Sequence, residues 1–372
     1  MKAIIVSNTT LTIRNFRVGL MKGLKSKGYD VIFCAQDNGY ADEVTSKGFS
    51  FIPLVIDRKG MNLFTDLKQT IALYRIYRKE RPDIAVHYTP KPNIYGAVAA
   101  ALAGVPCIDN ISGLGYLFIK KSPVYQLIKF LYKIGCHFAR TTFFQNKDDL
   151  NLFVRKGIIK RNKAVLVNGS GVNTNFFSPD FCGSLKRGDD SFVFLFTGRF
   201  LWDKGLKEFV EAARLTRQKY PKTQFWLVGI IDPGNPAAVG MEIIKSWEKE
   251  GIIVYHGEVK DVRPFICGSD CVVLPSYREG IPKSLLEALA MEKPIITTDA
   301  IGCREVVDEG IDGFSVPVKD TQALADSFGK MIELRPEERL RMGKAGRDKV
   351  KRKFEEAMVV DAYLKEIQRI LS

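Results

Sequence analysis

The sequence predicts an α/β protein built from two doubly wound parallel sheets. Its 372 residues exceed the length at which a single hydrophobic core usually keeps growing, so two domains are expected. Short apolar strands alternate with helical runs through both halves, a pattern typical of parallel sheets covered by helices. A hydrophobic content of 46% and a charged content of 26% are those of a globular protein with a sizeable core.

Thirteen strands are predicted on the two sides of a polar segment. The segment 174–190 is rich in Asn, Ser, Gly, Pro and charged residues and is interpreted as a linker. It separates a first domain, 1–173, from a second domain, 191–353, and an amphipathic helix is expected over 354–372. The predicted strands are 3–7, 30–35, 50–53, 84–87, 107–110, 142–145 and 164–167, then 192–196, 224–228, 252–255, 271–274, 295–297 and 314–316.

A strand-to-helix corner in the second half carries two glutamates eight residues apart. The turn after strand 271–274 contains Glu279, Pro282 stands where a first helical residue is expected, and Glu287 follows in the helix. Unpaired N–H groups at a helix start attract anions, and carboxylates accept hydrogen bonds from hydroxyl groups. The corner therefore fits a nucleotide-sugar, although an ordinary surface corner has the same pattern. The candidate donor-binding residues are Glu279, Gly280, Ile281, Pro282, Ser284 and Glu287.

A second candidate site is the loop after strand 192–196, which contains Gly198, Arg199 and Lys204. Ligands of open α/β sheets bind at the carboxyl ends of strands. Arg199 as a planar fork and Lys204 as a mobile point charge suit a diphosphate, whereas a solvated basic loop is the alternative. These three residues join the donor-binding set. The candidate catalytic residues are Arg199, Lys204 and Glu279.

The two motifs together resemble those of the family-four retaining glycosyltransferases. That family carries a G-R-x-x-x-x-K-G loop and an E-x7-E corner, which occur here with the same spacing at 198–205 and 279–287. Segments 167–173, 176–179 and 302–307 also resemble family blocks in the same order, so the resemblance covers essentially the whole chain. It implies the GT-B fold, in which two Rossmann-like domains face a central cleft and the last helix packs back on the first domain.

The resemblance also implies the reaction. A hexose or N-acetylhexosamine would leave a UDP-sugar with retention of configuration, by front-side attack and without a metal or another cofactor. Arg199 and Lys204 would stabilise charge on the departing diphosphate, while Glu279 holds the donor sugar and Glu287 accepts from the ribose hydroxyls. The sequence contains no D-x-D pair, the metal-binding motif of the other large glycosyltransferase class. No metal site is therefore expected.

The acceptor side rests on a finer resemblance. Segments 91–96 and 112–116 resemble bacterial members that extend polyprenyl-diphosphate-linked sugars, such as N-acetylgalactosaminyltransferases acting on carrier-linked bacillosamine. This implies a lipid-linked glycan of capsule, O-antigen or protein glycan synthesis as acceptor. Many members have a histidine after the strand that here is 107–110, but this chain has none there. The weaker acceptor or cleft candidates are Asn15, Arg17, His87, Lys91, Asn110 and Ser112; a histidine ending an apolar strand, such as His87, is more often structural.

The net charge of +14 is divided unevenly. Residues 1–170 hold 26 Lys and Arg against 11 Asp and Glu, whereas residues 171–372 hold 30 against 31. The first half therefore suits an anionic partner. Within 118–140, lysines mix with aromatic residues, a pattern typical either of a helix on an anionic membrane or of a core helix with solvated lysines. The predicted membrane contacts are Lys120, Lys121, Lys129 and Lys133, with the last two on one helical face and the aromatic residues largely elsewhere.

Two other functions remain as alternatives to a glycosyltransferase. A nucleotide-sugar 2-epimerase shares the GT-B architecture but has no use for a basic, aromatic helix. A nucleic-acid-binding protein would explain the basic half, but neither a basic recognition helix nor an RNA-binding aromatic motif is present. The absence of a P-loop motif and of G-x-G-x-x-G after the first strand argues against an ATPase and a nicotinamide enzyme.

The sequence also favours a location. The opening residues contain no basic-then-apolar leader, and the longest weakly charged stretch, 93–118, is broken by proline and glycines. We expect a cytoplasmic protein attached peripherally to the inner face of the inner membrane. The seven scattered cysteines are expected to be reduced thiols, and the three dispersed histidines suggest no metal cluster.

Overall fold

The computed structural model of the chain describes residues 1–56, 62–114, 123–183, 190–232 and 234–372. The chain divides into a first unit, Met1–Ser170 with Glu356–Ser372, and a second unit, Gly171–Glu355. All thirteen predicted strands are present, seven in the first sheet and six in the second. The two doubly wound α/β sheets predicted from the sequence are confirmed.

Parallel strands form the sheet of the first unit. They are β1 (Lys2–Thr9), β2 (Asp30–Gln36), β3 (Ser50–Pro53), β4 (Ile84–Tyr88), β5 (Cys107–Ile111), β6 (Thr141–Phe144) and β7 (Ala164–Leu166). Their spatial order is β3-β2-β1-β4-β5-β6-β7. The central strands are buried along their whole length, which explains why they are continuous apolar runs in the sequence.

Helices cover both faces of this sheet. They are α1 (Thr10–Phe16), α2 (Val18–Ser26), α3 (Ala41–Thr45), α4 (Leu63–Glu80), α5 (Ala97–Ala103), α6 (Pro123–Phe138) and α7 (Lys147–Arg155). Alternate residues of β1 point to opposite faces: Ile4 packs in a core with Leu73 of α4, whereas Ile5 packs in a core with Leu24 of α2. Helix α5 contacts both α4 and α6, so these three helices form one layer.

The second unit repeats the arrangement. Its strands are β8 (Phe192–Thr197), β9 (Thr223–Val228), β10 (Val254–Gly257), β11 (Cys271–Leu274), β12 (Ile295–Thr298) and β13 (Gly313–Val316), in the order β10-β9-β8-β11-β12-β13. Its helices are α8 (Leu206–Lys219), α9 (Met241–Lys249), α10 (Arg263–Gly268), α11 (Lys283–Ala290), α12 (Thr321–Glu333) and α13 (Pro336–Lys353). Within the ranges described, no helix of either unit is long and apolar enough to cross a membrane.

The last helix, α14 (Glu356–Leu371), belongs to the first unit. Its apolar stripe includes Tyr363, which is buried in the core beside α2. Glycines in α2 allow close packing, since a Cβ on Gly23 would lie 2.3 Å from a methyl group of Val360. The Tyr363 hydroxyl accepts a hydrogen bond from Asn110 Nδ2 at 2.7 Å, which links α14 to the carboxyl end of β5.

Each sheet has one point at which the strand order reverses. In the first unit β1 pairs with both β2 and β4, and in the second unit β8 pairs with both β9 and β11. The crossovers on the two sides of such a point leave in opposite directions, which opens a crevice at the carboxyl ends of the strands. Ligand-binding residues are therefore expected after β1 and β4, and after β8 and β11.

The cysteines differ from the expectation of seven reduced thiols. Cys182 and Cys267 form a disulfide, while the other five cysteines are buried and free. The segment interpreted as a linker packs on the second unit where it is described, with Phe177 in that unit's core. This packing brings Cys182 to α10, a contact between residues 85 positions apart that their spacing does not reveal.

Candidate active site

The two predicted donor-binding loops lie side by side at the point of reversal between β8 and β11. Backbone bonds join them: the Tyr277 N–H donates to the Asp203 carbonyl at 2.9 Å. The Ser276 hydroxyl donates to the same carbonyl at 3.1 Å. The loop carrying Lys204 and the turn carrying Glu279 are thus fixed to each other.

Two glycines permit close backbone approaches at this edge of the sheet. Gly205 has φ of +75°, and a Cβ there would lie 2.1 Å from the Pro275 carbonyl oxygen. Gly302 has φ of +86°, and its Cβ would lie 2.4 Å from the carbonyl oxygens of Glu279 and Gly280. A side chain at Gly205 would strain the backbone and separate the two donor-binding loops, and one at Gly302 would strain the backbone and push the segment after β12 away from the turn that carries Glu279. The last glycine of the basic loop motif and the first residue of segment 302–307 are therefore explained by packing.

The three candidate catalytic residues lie at this edge in two separate ion pairs. Lys204 and Glu279 form an ion pair, with side chains 19% and 14% exposed. Arg199 is 46% exposed and contacts Asp232, with 3.2 Å between Nη1 and Oδ2. The cations are thus partly neutralised by carboxylates. A bound diphosphate would share Lys204 with Glu279 and Arg199 with Asp232.

Two acidic residues of the site were missed by the sequence analysis. Asp203 has a buried Oδ1 without a hydrogen-bond partner, and burial raises the pKa of its carboxyl group, against the effect of Lys204. Asp232 is the partner of Arg199. Both lie in loops that follow strands, so the preference of ligands for the carboxyl ends of strands, which indicated Arg199, also indicates these two residues.

Helix α11 begins one residue later than predicted. Pro282 is the N-cap rather than the first helical residue, and it makes no side-chain capping bond. Proline has no side-chain acceptor, so it caps a helix poorly. Among the other predicted donor residues of this corner, Gly280 is buried, whereas Ile281 and Ser284 are partly exposed.

Glu287 lies in the second turn of α11 with an altered acidity. Burial raises the pKa of its carboxyl group to about 7, against the effect of Lys283 one turn earlier. The carboxyl group therefore changes its charge near neutral pH. As a carboxylate it accepts hydrogen bonds, while as a neutral acid it also donates one.

Three acceptor candidates meet at the reversal point of the first unit, between β1 and β4. Arg17 donates from Nη1 to Ser170 Oγ at 3.0 Å and from Nη2 to Ser112 Oγ at 3.3 Å. Ser112 donates to Asn110 Oδ1 at 2.7 Å. The Arg17 guanidinium stacks on Tyr88, the last residue of β4, 3.5 Å from the ring centroid.

Asn15 and Lys91 have other surroundings. Asn15 is exposed, and its Oδ1 accepts from Arg14 at 3.3 Å. Lys91 forms an ion pair of 2.7 Å with Asp66, a buried residue of α4. The bonds described do not connect either residue to Arg17, Ser112 or Asn110, so their contact with the acceptor stays a prediction.

The expectation that His87 lies at an accessible cleft edge is wrong. His87 is 0% exposed because both faces of β4 are covered by helices. Its Nδ1 is 2.9 Å from Asp109 Oδ1 and its Nε2 is 2.8 Å from the Tyr77 hydroxyl. Burial raises the pKa of Asp109 to about 6, against the effect of His87. This is the structural role that the sequence analysis kept as the alternative.

His87, Cys107 and Asp109 are also close enough to hold a metal ion, with ligand atoms within 4.8 Å of one another. Spacing along the chain does not show this group, because the pairing of β4 with β5 sets His87 beside Asp109. Both ring nitrogens of His87 already have hydrogen-bond partners. A metal there would have to replace those bonds in a fully buried site.

The predicted membrane-contacting helix is only partly described. Lys120 and Lys121 lie outside the described residues; Lys133 is exposed on α6 and Lys129 is partly buried. The aromatic residues were expected to lie largely away from the lysines, but at least one of them does not. Phe130 is 59% exposed and shares the outward side of α6 with Lys133, three residues later.

Two family models match the chain. The one described as glycosyl transferases group 1 matches residues 191–333, which include the loops after β8 and β11. The one described as glycosyl transferase 4-like matches residues 4–146, which include the Arg17 region. Together they cover more than half of the sequence.

Curated relatives align along most of the chain. It is 29% identical to the N,N'-diacetylbacillosaminyl-diphospho-undecaprenol alpha-1,3-N-acetylgalactosaminyltransferase of Campylobacter jejuni, over 98% of each chain. It is 25% identical to the UDP-Gal:alpha-D-GlcNAc-diphosphoundecaprenol alpha-1,3-galactosyltransferase of Escherichia coli, over 83% of this chain and 82% of the relative.

Solved structures share the fold. A glycosyltransferase from Rickettsia africae has a TM-score of 0.79 at 19% identity, covering 100% of this chain and 98% of its own. The HepE protein of Anabaena in complex with UDP has a TM-score of 0.78 at 16% identity, covering 99% and 100%. These likenesses show that the chain has the GT-B fold. The two family models show that it belongs to the glycosyltransferases, with a first half of the glycosyl transferase 4-like type and a second half of group 1.

Proposed function

We propose that this glycosyltransferase moves a hexose or N-acetylhexosamine from a UDP-sugar to a polyprenyl-diphosphate-linked or growing bacterial glycan, with retention and without a metal. The observation that carries the proposal is that two ion pairs, Lys204 with Glu279 and Arg199 with Asp232, lie on the loops where β8 and β11 diverge. The names of the two curated relatives specify diphospho-undecaprenol acceptors, and one specifies a UDP-sugar donor. The family matches favour sugar transfer over the epimerase alternative.

The charges of the site suit the departure of UDP. The bond between the anomeric carbon and the diphosphate oxygen breaks while an acceptor hydroxyl attacks from the same face, and its proton passes to the departing phosphate. Negative charge grows on the diphosphate, where Lys204 and Arg199 stabilise it more than in the ground state. Glu279 holds the donor sugar and orients Lys204 through their ion pair.

We further propose that the first unit docks on the anionic cytoplasmic face of the inner membrane. Support comes from α4, which the sequence analysis did not consider. On its outward side Phe64, Leu67 and Ile71 are 81%, 58% and 40% exposed. The same side carries Lys68, Arg75 and Arg78, all exposed. Apolar residues joined by cations on one helical face are typical of an interfacial helix.

Helix α6 adds to this surface. It lies in the same helical layer as α4, with α5 between them. Leu127, Phe130 and Phe138 of α6 are 43%, 59% and 42% exposed, and Leu102 of α5 is 67% exposed. A lipid-linked acceptor would be met at such a surface.

The first test is transfer in excess EDTA. Incubation with a panel of UDP-sugars and a polyprenyl-diphosphate-linked sugar should extend the acceptor by one sugar, because the cations of the site replace a metal. Mass spectrometry detects the product, and NMR of its anomeric proton shows whether the configuration is retained. Loss of activity in EDTA that Mn²⁺ or Mg²⁺ restores would contradict metal independence. A C2-epimerised nucleotide-sugar without transfer would favour the epimerase.

Lys204→Ala should reduce kcat on the order of 10²-fold, by analogy with the loss of one oxyanion donor. The KM for the UDP-sugar should change less, because the lost interaction strengthens as charge builds on the leaving group. Steady-state kinetics measures both. The control is Lys207→Ala, an exposed lysine three residues later that should have normal kinetics. Normal kcat in Lys204→Ala would remove the lysine from the mechanism.

Glu287 should make UDP binding depend on pH. Affinity should rise from about pH 6 to about pH 8, because only the carboxylate accepts from both ribose hydroxyls, whereas Glu287→Gln should bind weakly with less change. Titration calorimetry measures both proteins, and the glutamine variant controls for the ionisation of UDP itself.

The same substitution should affect stability with the opposite sign. The folded-state pKa of about 7 lies above the ordinary value of 4.5, so Glu287 increasingly destabilises the fold as pH rises between these values. Glu287→Gln should therefore raise Tm relative to the wild type at about pH 8 and not at about pH 5. A Tm difference independent of pH would contradict the raised pKa.

The membrane proposal predicts that Lys68→Gln/Arg75→Gln/Arg78→Gln weakens sedimentation with phosphatidylglycerol vesicles. Each cation at such a surface contributes about 1 kcal/mol, so the loss of three should lower the partition coefficient roughly 100-fold. Lys129→Gln/Lys133→Gln on α6 should have a smaller effect. A triple variant of exposed lysines in the second unit, Lys207, Lys222 and Lys344, matches the change in charge and should sediment normally. Equal loss in both triple variants would show a net-charge effect and contradict docking through α4.

A further inference from the structure

Arg17 is a buried cation with neutral partners. It is 5% exposed, and its described bonds go to the hydroxyls of Ser112 and Ser170 and to the Tyr88 ring. Within the described ranges no carboxylate forms an ion pair with it. Lys349, the buried lysine of the second unit, pairs with Asp312 instead. The charge of Arg17 is therefore compensated by dipoles alone.

This arrangement is costly for the folded protein. A buried charge normally has a counterion, because neutral groups replace only part of its hydration energy. Burial lowers the pKa of Arg17, yet a guanidinium remains charged at neutral pH. Its Nε is also buried without a hydrogen-bond partner. The fold thus keeps both a positive charge and a free donor at one place.

A further buried polar atom that has no partner in the described part of the chain lies near the end of β1, the strand that precedes α1 and Arg17. Ser7 near the end of β1 is 0% exposed, and its hydroxyl has no partner among the described residues. It lies two residues after Ile5, and the alternation of the strand assigns it to the same face of the sheet, the one that α1 and α2 cover. Arg17 joins those two helices. All these groups lie where the strand order reverses between β1 and β4, the place at which such sheets bind ligands.

We infer that Arg17, with the hydroxyls of Ser112, Ser170 and Ser7, binds the diphosphate group of a substrate. A guanidinium forks onto phosphate oxygens, and serine hydroxyls donate to the oxygens that remain. The lack of a paired carboxylate leaves the cation available to an anion. The inference rests on the proposed function, in which both the UDP-sugar and the polyprenyl-linked acceptor contain a diphosphate.

A purely structural role for Arg17 makes a different prediction about stability. If Arg17 only supports the fold, Arg17→Met should lower the Tm of the ligand-free protein. If its charge serves to bind an anionic ligand, the apolar replacement should leave the Tm of the ligand-free protein unchanged or raise it. Both serines would still have a hydrogen-bond partner in this variant, because Ser112 bonds to Asn110 and Ser170 bonds to Gln145.

The experiment uses the full-length protein, titration calorimetry and two probes. UDP is titrated first, and farnesyl diphosphate is then titrated into UDP-saturated protein. Arg17→Met should weaken the binding of one probe at least tenfold, and Arg17→Lys, which keeps the charge without the fork, should weaken it several-fold. The matched control is Arg14→Met, which removes an arginine paired with Glu43 and should bind both probes normally.

The outcomes separate the two diphosphates. Weakened UDP binding assigns the site to the donor, and weakened farnesyl diphosphate binding assigns it to the acceptor; either supports the inference. Unchanged binding of both probes by Arg17→Met overturns it. If that variant does not fold, Arg17→Lys and Ser112→Ala/Ser170→Ala take its place, and normal binding by both overturns the inference.

The proposed function can fail separately. A wild type that binds farnesyl diphosphate through Arg17 but does not bind UDP would contradict the UDP-sugar donor and support the anion site. A wild type that binds UDP, with no effect of Arg17 on either probe, would retain the donor and remove the site. Binding of neither probe by the wild type would remove both.

Discussion

The reversal of strand order at β1 and at β8 is the constraint on which the functional groups depend. Strands on the two sides of each reversal send their crossovers apart, so the loops at their carboxyl ends are not covered by a connecting helix. Lys204 and Glu279 occupy one such edge, and Arg17 with Tyr88 occupies the other. The same topology in each unit thus provides a place for charged groups that a continuous core would exclude.

The two edges handle charge differently. At β8 and β11 the cations have carboxylate partners, so their charges are balanced within the protein, and Gly205 and Gly302 allow the loops of the site to pack closely. At β1 and β4 the cation is surrounded by hydroxyls and a ring. When a ligand binds, a cation that is already paired with a carboxylate exchanges that carboxylate for the ligand. A cation surrounded by neutral groups gains a counterion only from the ligand. The first suits a substrate that must also leave as a product.

The sequence predicted the strands and the donor loops because their signals are local. Buried parallel strands are short apolar runs, and both motif loops keep a fixed spacing. The burial of His87, the Cys182–Cys267 disulfide and the partnership of Arg199 with Asp232 each depend on residues far apart in the chain. The exposed apolar residues and cations of α4 recur at helical spacing and were predictable in principle, but the membrane prediction was confined to 118–140, where basic and aromatic residues mix.

The excess of positive charge in the first half of the chain reaches the protein surface because several acidic residues of that half are paired elsewhere. The first unit has few carboxylates, and several are bound locally: Asp66 by Lys91, Glu43 by Arg14 and Asp109 by His87. Bound in this way, they cannot also offset the outward cations of α4. A positive field consequently persists beside the exposed apolar residues of that helix, and it decays with salt over the Debye length. In the proposed docking, electrostatic attraction and apolar insertion would act on the same face, which is the combination that holds a protein reversibly at an anionic bilayer.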